Sequence, residues 1–184
     1  MQKIILTSAG FENKTIGGVF LSLVKKAPEE IRVLFIPTAA DFPAAIEVLP
    51  KCMNDLLSLN IPPENIRVFD LHRSLNIDEM SAFDAVYFTG GSQQYLLQRI
   101  NETGFYQPIK GFVEKGGVYV GVSAGSIIAA RNLPDNLGYL NAVLEVHTKT
   151  GTQAGVFDNT NVSHIDLTDN MAVLIRDGVY EIVE

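Results

Sequence analysis

A serine placed between two glycines is the residue whose surroundings best fit a chemical role. Ser123 stands in the sequence Gly-Val-Ser-Ala-Gly, after a branched apolar run and before a second apolar stretch. In a strand-to-helix turn of this kind the serine backbone is strained and its hydroxyl is exposed. Only residues as small as Gly121 and Gly125 let the chain pass that closely. We predict that Ser123 is a nucleophile for acyl transfer and that the N–H of Ala124 faces the developing oxyanion.

A second glycine turn has the same kind of neighbours. Gly90 and Gly91 follow the apolar run Ala-Val-Tyr-Phe and precede a segment with helical spacing. Two adjacent glycines allow backbone N–H groups to face a neighbouring site, although a tight connection without a ligand would use the same residues. Beside the serine turn we favour the functional interpretation, with Gly91 as the second oxyanion donor.

The segments that must position these turns alternate between strand and helix. Branched residues bounded by turn formers predict strands at residues 3–7, 32–37, 66–71, 85–89 and 117–121, and helical spacing predicts helices at 18–26, 44–59, 93–100 and 106–115. Parallel neighbours need crossover connections, which are usually helical. The expected fold class is therefore α/β, a three-layer sandwich with a mostly parallel sheet and helices on both faces. Sites in such sheets lie at the carboxyl ends of the strands.

The pattern changes after about residue 140. Short apolar runs predict strands at residues 142–148, 161–164, 171–176 and 179–183. The last two are joined at Asp177-Gly178, a dipeptide favoured in type I′ turns, so we expect a C-terminal β-hairpin. With 184 residues and no linker, residues 1–184 are expected to form one domain.

Composition excludes several classes of protein and site. The chain has 14 basic and 21 acidic residues, a net charge of −7, and no basic run, so we expect neither nucleic acid nor a membrane surface as a partner. A single cysteine, Cys52, excludes an intrachain disulfide and a cysteine-based metal cluster. No metal-binding spacing is present, and no metal or cofactor is expected. The apolar runs are too short for a signal peptide or a bilayer span, so a cytoplasmic protein is expected.

The two glycine turns, followed by Leu-Gly-Tyr at 137–139 and then His147, resemble the S51 serine peptidases, the group of dipeptidase E and cyanophycinase. The segment 167–175 also resembles the end of that family's sequence. The resemblance implies a single α/β domain akin to class I glutamine amidotransferases. It also implies a Ser-His-acid triad with oxyanion donors from the Gly-Gly turn and from the residue after the serine.

The resemblance selects one histidine as the base and leaves the acid open. His147 falls at the family's spacing from Leu-Gly-Tyr, whereas His72 and His164 are expected to be structural. The segment that carries the acid in the family is shortened here, and Asp135 is the one acidic residue left in it. Glu145, two residues before His147, is the second candidate. If neither reaches the imidazole, the site is a dyad or is impaired.

The leading hypothesis is a serine hydrolase of small peptides, either a monomer or a homodimer. The likeness to dipeptidase E implies substrates with an amino-terminal aspartate, whose carboxylate needs a cation. Lys149 and Arg131 are the candidates for that cation. Two alternatives stay open: a non-catalytic binding or regulatory domain on the same fold, and an esterase of small acyl esters.

Overall fold

The computed structural model describes residues 2–184 and contains ten strands, seven α-helices and two short 3₁₀ turns. The strands are β1 Lys3–Thr7, β2 Val33–Ile36, β3 Ile66–Val68, β4 Ala85–Phe88, β5 Val118–Val122, β6 Val143–Glu145, β7 Gly155–Phe157, β8 His164–Asp166, β9 Ala172–Arg176 and β10 Val179–Val183. The α-helices are α1 Lys14–Val24, α2 Pro43–Ile46, α3 Leu49–Leu57, α4 Ile77–Met80, α5 Gln93–Glu102, α6 Tyr106–Glu114 and α7 Ala124–Ile127. The 3₁₀ turns are Pro28–Glu30 and Pro63–Asn65.

Eight strands form one sheet in the order β3-β2-β4-β5-β1-β9-β10-β7. The pairs from β3 to β1 are parallel, and β9, β10 and β7 continue the sheet with antiparallel pairing. Strands β6 and β8 form a separate parallel pair. In the β9–β10 hairpin Asp177 has φ 52° and Gly178 φ 82°, the positive values that a type I′ turn requires. The predicted α/β sheet and C-terminal hairpin are confirmed.

Apolar side chains on the two faces of the sheet build two separate cores. In β1, Ile4 and Leu6 pack into one core, while Ile5 between them packs into the other, because successive side chains of a strand point to opposite faces. Helices α5 and α6 cover the first core through Leu96 and Ile109, among others, and helices α1 and α3 cover the second. The central strands β2, β4 and β5 are therefore buried on both faces, which explains why they appear as continuous apolar runs.

One predicted helix is divided into two. The sequence predicted a single helix over 44–59 with one apolar face, but α2 ends at Ile46 and α3 begins at Leu49. Pro50 explains the break, because a proline has no N–H to donate and its ring clashes with the carbonyl four residues earlier, that of Ile46. It is tolerated in the first turn of α3. As a result Ile46 is half exposed instead of buried on a common face.

The second half of the chain also differs in detail from the prediction. Strands expected over 142–148 and 161–164 are the short strands β6 and β8, and β7 is a strand that the sequence did not predict. Within residues 2–184 no helix is both long and apolar enough to cross a bilayer.

Candidate active site

Three turns meet at the carboxyl edge of the parallel sheet. Ser123 follows β5, the Gly90–Gly91 turn follows β4, and Ser8 follows β1. Strand β5 pairs with β4 on one side and with β1 on the other, in parallel register. The three strand ends therefore place their turns side by side, as expected for sites in open parallel sheets.

The turn at Ser123 is as tight as its sequence predicts. Ser123 has φ 47° and ψ −105°, a conformation that L-residues rarely adopt. A side chain at Gly121 would lie 2.5 Å from the carbonyl oxygen of Gly125, and one at Gly125 would lie 2.7 Å from Cβ of Phe88. The Ser123 N–H donates to the carbonyl of Thr7 at 3.0 Å. The two glycines are thus required by close packing around the serine.

The small β6–β8 sheet brings together residues that are far apart in sequence. Its parallel pairing continues past both strands, since the Thr148 N–H donates to the carbonyl of Leu167 at 3.1 Å. His147 comes two residues after β6 and Asp169 three residues after β8, so both leave the sheet at the same end. His147 adopts a positive φ of 58° there.

His147 joins Ser123 to Asp169. Its Nε2 lies 3.2 Å from Oγ of Ser123, and its Nδ1 lies 2.7 Å from Oδ1 of Asp169. The pKa of Asp169 is lowered, first because His147 hydrogen bonds to its ionised form and then because Ser8 does the same. The side chains of His147 and Asp169 are about half exposed, at 52% and 57%. This is the linear arrangement of nucleophile, base and orienting acid that acyl transfer uses.

Ser8 forms hydrogen bonds with both His147 and Asp169. Its hydroxyl donates to Oδ1 of Asp169 at 3.0 Å and accepts the backbone N–H of His147 at 2.7 Å. Ser8 is itself fully buried. The hydroxyl therefore fixes the imidazole through its backbone and the carboxylate through its side chain.

The acid assignments made from the sequence need correction. Asp135 is exposed and borders a separate surface depression with Asn101 and Tyr106. Glu145 is exposed on β6, where it faces His164 with an N–O separation of 3.9 Å. Asp169 takes the position expected of either residue. It lies 46 residues after Ser123, within the segment 167–175 that resembles the end of the S51 peptidase sequences.

The other two histidines pair with carboxylates elsewhere. His72 contacts Asp70 at 2.7 Å, and Nε2 of His164 lies 3.1 Å from Oδ1 of Asp166. Glu145, His164 and Asp166 have ligand-type atoms within 4.8 Å of one another, but none of the three borders the cleft at Ser123.

The predicted oxyanion donors flank the serine. Gly91 has φ 137° and packs so closely on the carbonyl of Ala39 that any side chain would collide with it. Gly90 lies directly against Ser123, since a side chain there would come within 3.2 Å of the serine Cβ. Ala124 is the first residue of α7, so its N–H has no carbonyl partner within the helix. Both turns therefore lie beside Ser123, and their backbone N–H groups remain the candidates for the oxyanion donors.

A cleft of about 330 Å³ opens over these groups. Ser8, Gly90, Gly91, Ser123, His147 and Asp169 form its reactive side, and its other lining residues are Ala9, Phe42, Ala44, Ala45, Val48, Leu49, Lys51, Cys52, Thr89 and Val122. Lys149 and Arg131, the cations predicted to bind substrate, do not border it. Nη1 of Arg131 instead lies 3.5 Å from Asn141. Among residues 2–184, Lys51 is the only lysine or arginine that lines the cleft. It was not among the substrate-binding residues predicted from the sequence.

The buried carboxylate of Asp55 lies close to Cys52, which lines the cleft. Asp55 accepts the hydroxyl of Tyr87 at 2.5 Å and the N–H of Phe11 at 3.0 Å. Burial raises the pKa of Asp55. The pKa of Cys52 is raised to about 11, mainly by burial of the thiol and secondly by the nearby carboxylate of Asp55. A thiol with such a pKa stays protonated near neutral pH, so Cys52 does not compete with Ser123 as a nucleophile.

Comparisons with known proteins identify related peptidases. An uncharacterized peptidase of Pasteurella multocida is 26% identical over 111 residues, which cover 60% of this chain and 53% of that protein. An uncharacterized peptidase of Listeria monocytogenes is 29% identical over 101 residues, covering 55% of this chain and 49% of that protein. The chain thus spans about half the length of these relatives.

Solved structures share the fold. A protein assigned to peptidase E from Listeria monocytogenes EGD-e superposes with a TM-score of 0.73 at 22% identity, covering all of this chain and 97% of that one. A peptidase from an acI-B1 Actinobacterium gives a TM-score of 0.67 at 18% identity and 87% coverage of its chain. The profile of peptidase family S51 matches residues 4–138, which include both glycine turns and Ser123. The chain belongs to peptidase family S51.

Proposed function

We propose that the protein is a serine peptidase that hydrolyses small peptides through an acyl-enzyme on Ser123. The observation that carries this proposal is the chain of contacts from Asp169 through His147 to Ser123, at 2.7 Å and 3.2 Å. Family membership supports the same reaction class. The cleft of about 330 Å³ is at the small end of ligand sites, which fits a short peptide.

Acylation begins at the serine hydroxyl. Nε2 of His147 accepts the proton of Ser123 while Oγ forms a bond to the carbonyl carbon of the peptide. The carbonyl electron pair moves onto its oxygen, where the N–H groups of Gly91 and Ala124 donate to it. When the C–N bond breaks, the imidazolium gives its proton to the leaving amine. Asp169 stabilises the imidazolium and holds the ring with Nδ1 towards the carboxylate.

Deacylation repeats these steps with water. His147 removes a proton from a water molecule, whose oxygen attacks the ester carbonyl held on Ser123. The ester C–O bond then breaks and the proton returns to Oγ, which regenerates the serine and releases an acid.

A fluorophosphonate probe combined with peptide turnover tests the proposal. We expect the probe to label the wild-type protein at Ser123 and the protein to hydrolyse short peptides. Ser123→Ala should abolish both with little change in melting temperature. Ser22→Ala, an exposed serine on α1, is the matched control and should behave as wild type. Labelling at another serine, or absence of labelling in the folded wild-type protein, would overturn the proposal.

A further inference from the structure

We infer that the cleft selects peptides whose residue on the acyl side of the cleaved bond carries an apolar side chain. This inference rests on the proposed peptidase function and concerns the same site. It replaces the amino-terminal aspartate implied by the resemblance, because the cations on which that expectation depended lie outside the cleft.

One wall of the cleft is mainly apolar. It is built by the chain from the start of α2 to the start of α3, and the side chains that line the cleft there belong to Phe42, Ala44, Ala45, Val48 and Leu49. Phe42 and Val48, two of these cleft residues, remain 44% and 47% exposed. A bound apolar group would cover them and remove their surface from water.

The charge in the cleft is already compensated. Lys51 forms an ion pair with Glu12, and its pKa is raised first by that hydrogen bond and also by the nearby carboxylates of Asp55 and Asp169. A substrate carboxylate would compete with Glu12 for this amine and would face Asp169 across the same cleft. Burying an anion without a partner of its own is costly, so the site disfavours an aspartate side chain.

The apolar wall adjoins the Gly90–Gly91 turn, which assigns it to the acyl side of the cleaved bond. The wall continues from Ala39 and Ala40, against which the Gly91 turn packs, and the Ser92 N–H donates to the carbonyl of Ala39 at 2.7 Å. The wall is thus next to the proposed oxyanion donors. In the tetrahedral intermediate the leaving amine points towards His147, so the acyl substituent is the one that remains for the wall.

A substrate series with a constant leaving group tests the inference. Aminoacyl p-nitroanilides with Leu, Ala and Asp differ in the acyl residue alone. We expect kcat/KM for Leu to exceed that for Ala by about 10-fold or more, as apolar burial does in specificity pockets. For Asp we expect a decrease of at least about 100-fold relative to Leu. A preference for Asp, or a flat profile, would overturn the inference.

A pair of matched valine variants locates the effect. Val48 and Val179 are both 47% exposed, but only Val48 lines the cleft. Val48→Arg places a cation beside the acyl group and should lower the Leu-to-Asp ratio of kcat/KM by about 10-fold or more. Val179→Arg, on β10, should leave the ratio unchanged. Equal ratios in both variants would show that this wall does not contact the acyl residue.

Fluorophosphonate labelling separates failure of this inference from failure of the proposed function. Labelling at Ser123 together with a preference for Asp would retain the serine peptidase and overturn the apolar selectivity. Absence of labelling and of turnover with every substrate would overturn both. A dipeptide series of the form Ala-X reports on the leaving side, and an apolar preference found only there would reject the assignment of the wall to the acyl group.

Discussion

The imidazole of His147 is held by groups from two distant parts of the chain. Asp169 contacts Nδ1 at 2.7 Å, and Ser8, immediately after β1, accepts the backbone N–H at 2.7 Å. In the proposed mechanism, the carboxylate selects the tautomer that leaves Nε2 free to accept the serine proton. The Ser8 hydroxyl anchors the backbone of His147 through this hydrogen bond.

Replacing Asp169 by Asn should lower kcat by about 10⁴ without unfolding the protein, because the amide can stabilise the wrong tautomer of the imidazole. Steady-state kinetics and a thermal melt together measure both effects. Asp135→Asn is the matched control, since Asp135 is exposed outside the cleft. Near-equal activity of Asp169→Asn and the wild type would reject Asp169 as the acid.

Ser8→Ala should reduce kcat by about 10-fold and leave KM nearly unchanged, the size of effect expected when hydrogen bonds to charged or buried groups are lost. The pKa of Asp169 should also rise, because one of the hydrogen bonds that lower it comes from Ser8. Titration of Asp169 followed by NMR checks this shift directly. A loss of stability with no change in that pKa would assign Ser8 a structural role alone.

The side chain of Asp55 connects helix α3 to the sheet and to the segment after β1 through two hydrogen bonds. Its carboxylate accepts the hydroxyl of Tyr87 in β4 and the N–H of Phe11 beyond β1. Two elements that contribute to the cleft thus meet at one buried charge. Burial raises the pKa of Asp55. The protonated carboxyl is therefore favoured in the folded state, and folding stability falls as the pH rises from the ordinary pKa of an aspartate through the raised pKa.

Tyr87→Phe should destabilise the protein by about 1–3 kcal/mol at neutral pH, because a buried carboxylate loses a donor. The hydrogen bond from Tyr87 lowers the pKa of Asp55, so its removal raises that pKa further. The stability difference between wild type and variant should therefore be smaller at acid pH, where Asp55 is protonated in both, and should grow as pH rises. Urea unfolding at two pH values measures it. A difference independent of pH would exclude the charge of Asp55 as its cause.

The edge of the sheet that carries Ser123 is formed by the most deeply buried strands of the molecule. Strand β5 lies between β4 and β1 with every side chain buried, whereas β7 is an edge strand with Val156 71% exposed. Backbone amides of β1 and β5 should therefore exchange with solvent most slowly, close to the free energy of global unfolding, and those of β7 much faster. Hydrogen exchange followed by mass spectrometry measures this order. Faster exchange in β5 than in β7 would contradict it.

Local sequence was sufficient for the parts of the site that depend on local geometry. Gly121 is required by a contact within its own strand-to-helix connection, with the carbonyl of Gly125, and such contacts constrain residue types at fixed spacing. The contacts of Gly125 with Phe88 and of Gly91 with Ala39 join different segments and are visible only in the fold. The alternation of strand and helix likewise predicts that both turns reach one edge of the sheet. The position of His147 came from the resemblance to the S51 peptidases rather than from any local pattern.

Only the tertiary structure decided the acid and the character of the cleft. Asp169 reaches His147 because β6 and β8 pair in parallel. These strands are separated in sequence, and no fixed spacing of residues along the chain marks which separated strands will pair. Lys51 is compensated by Glu12, which lies on a different segment. The apolar wall and Ser123 belong to different segments of the chain and line the same cleft. Each of these features depends on contacts between distant segments, which form only when the whole sheet has assembled.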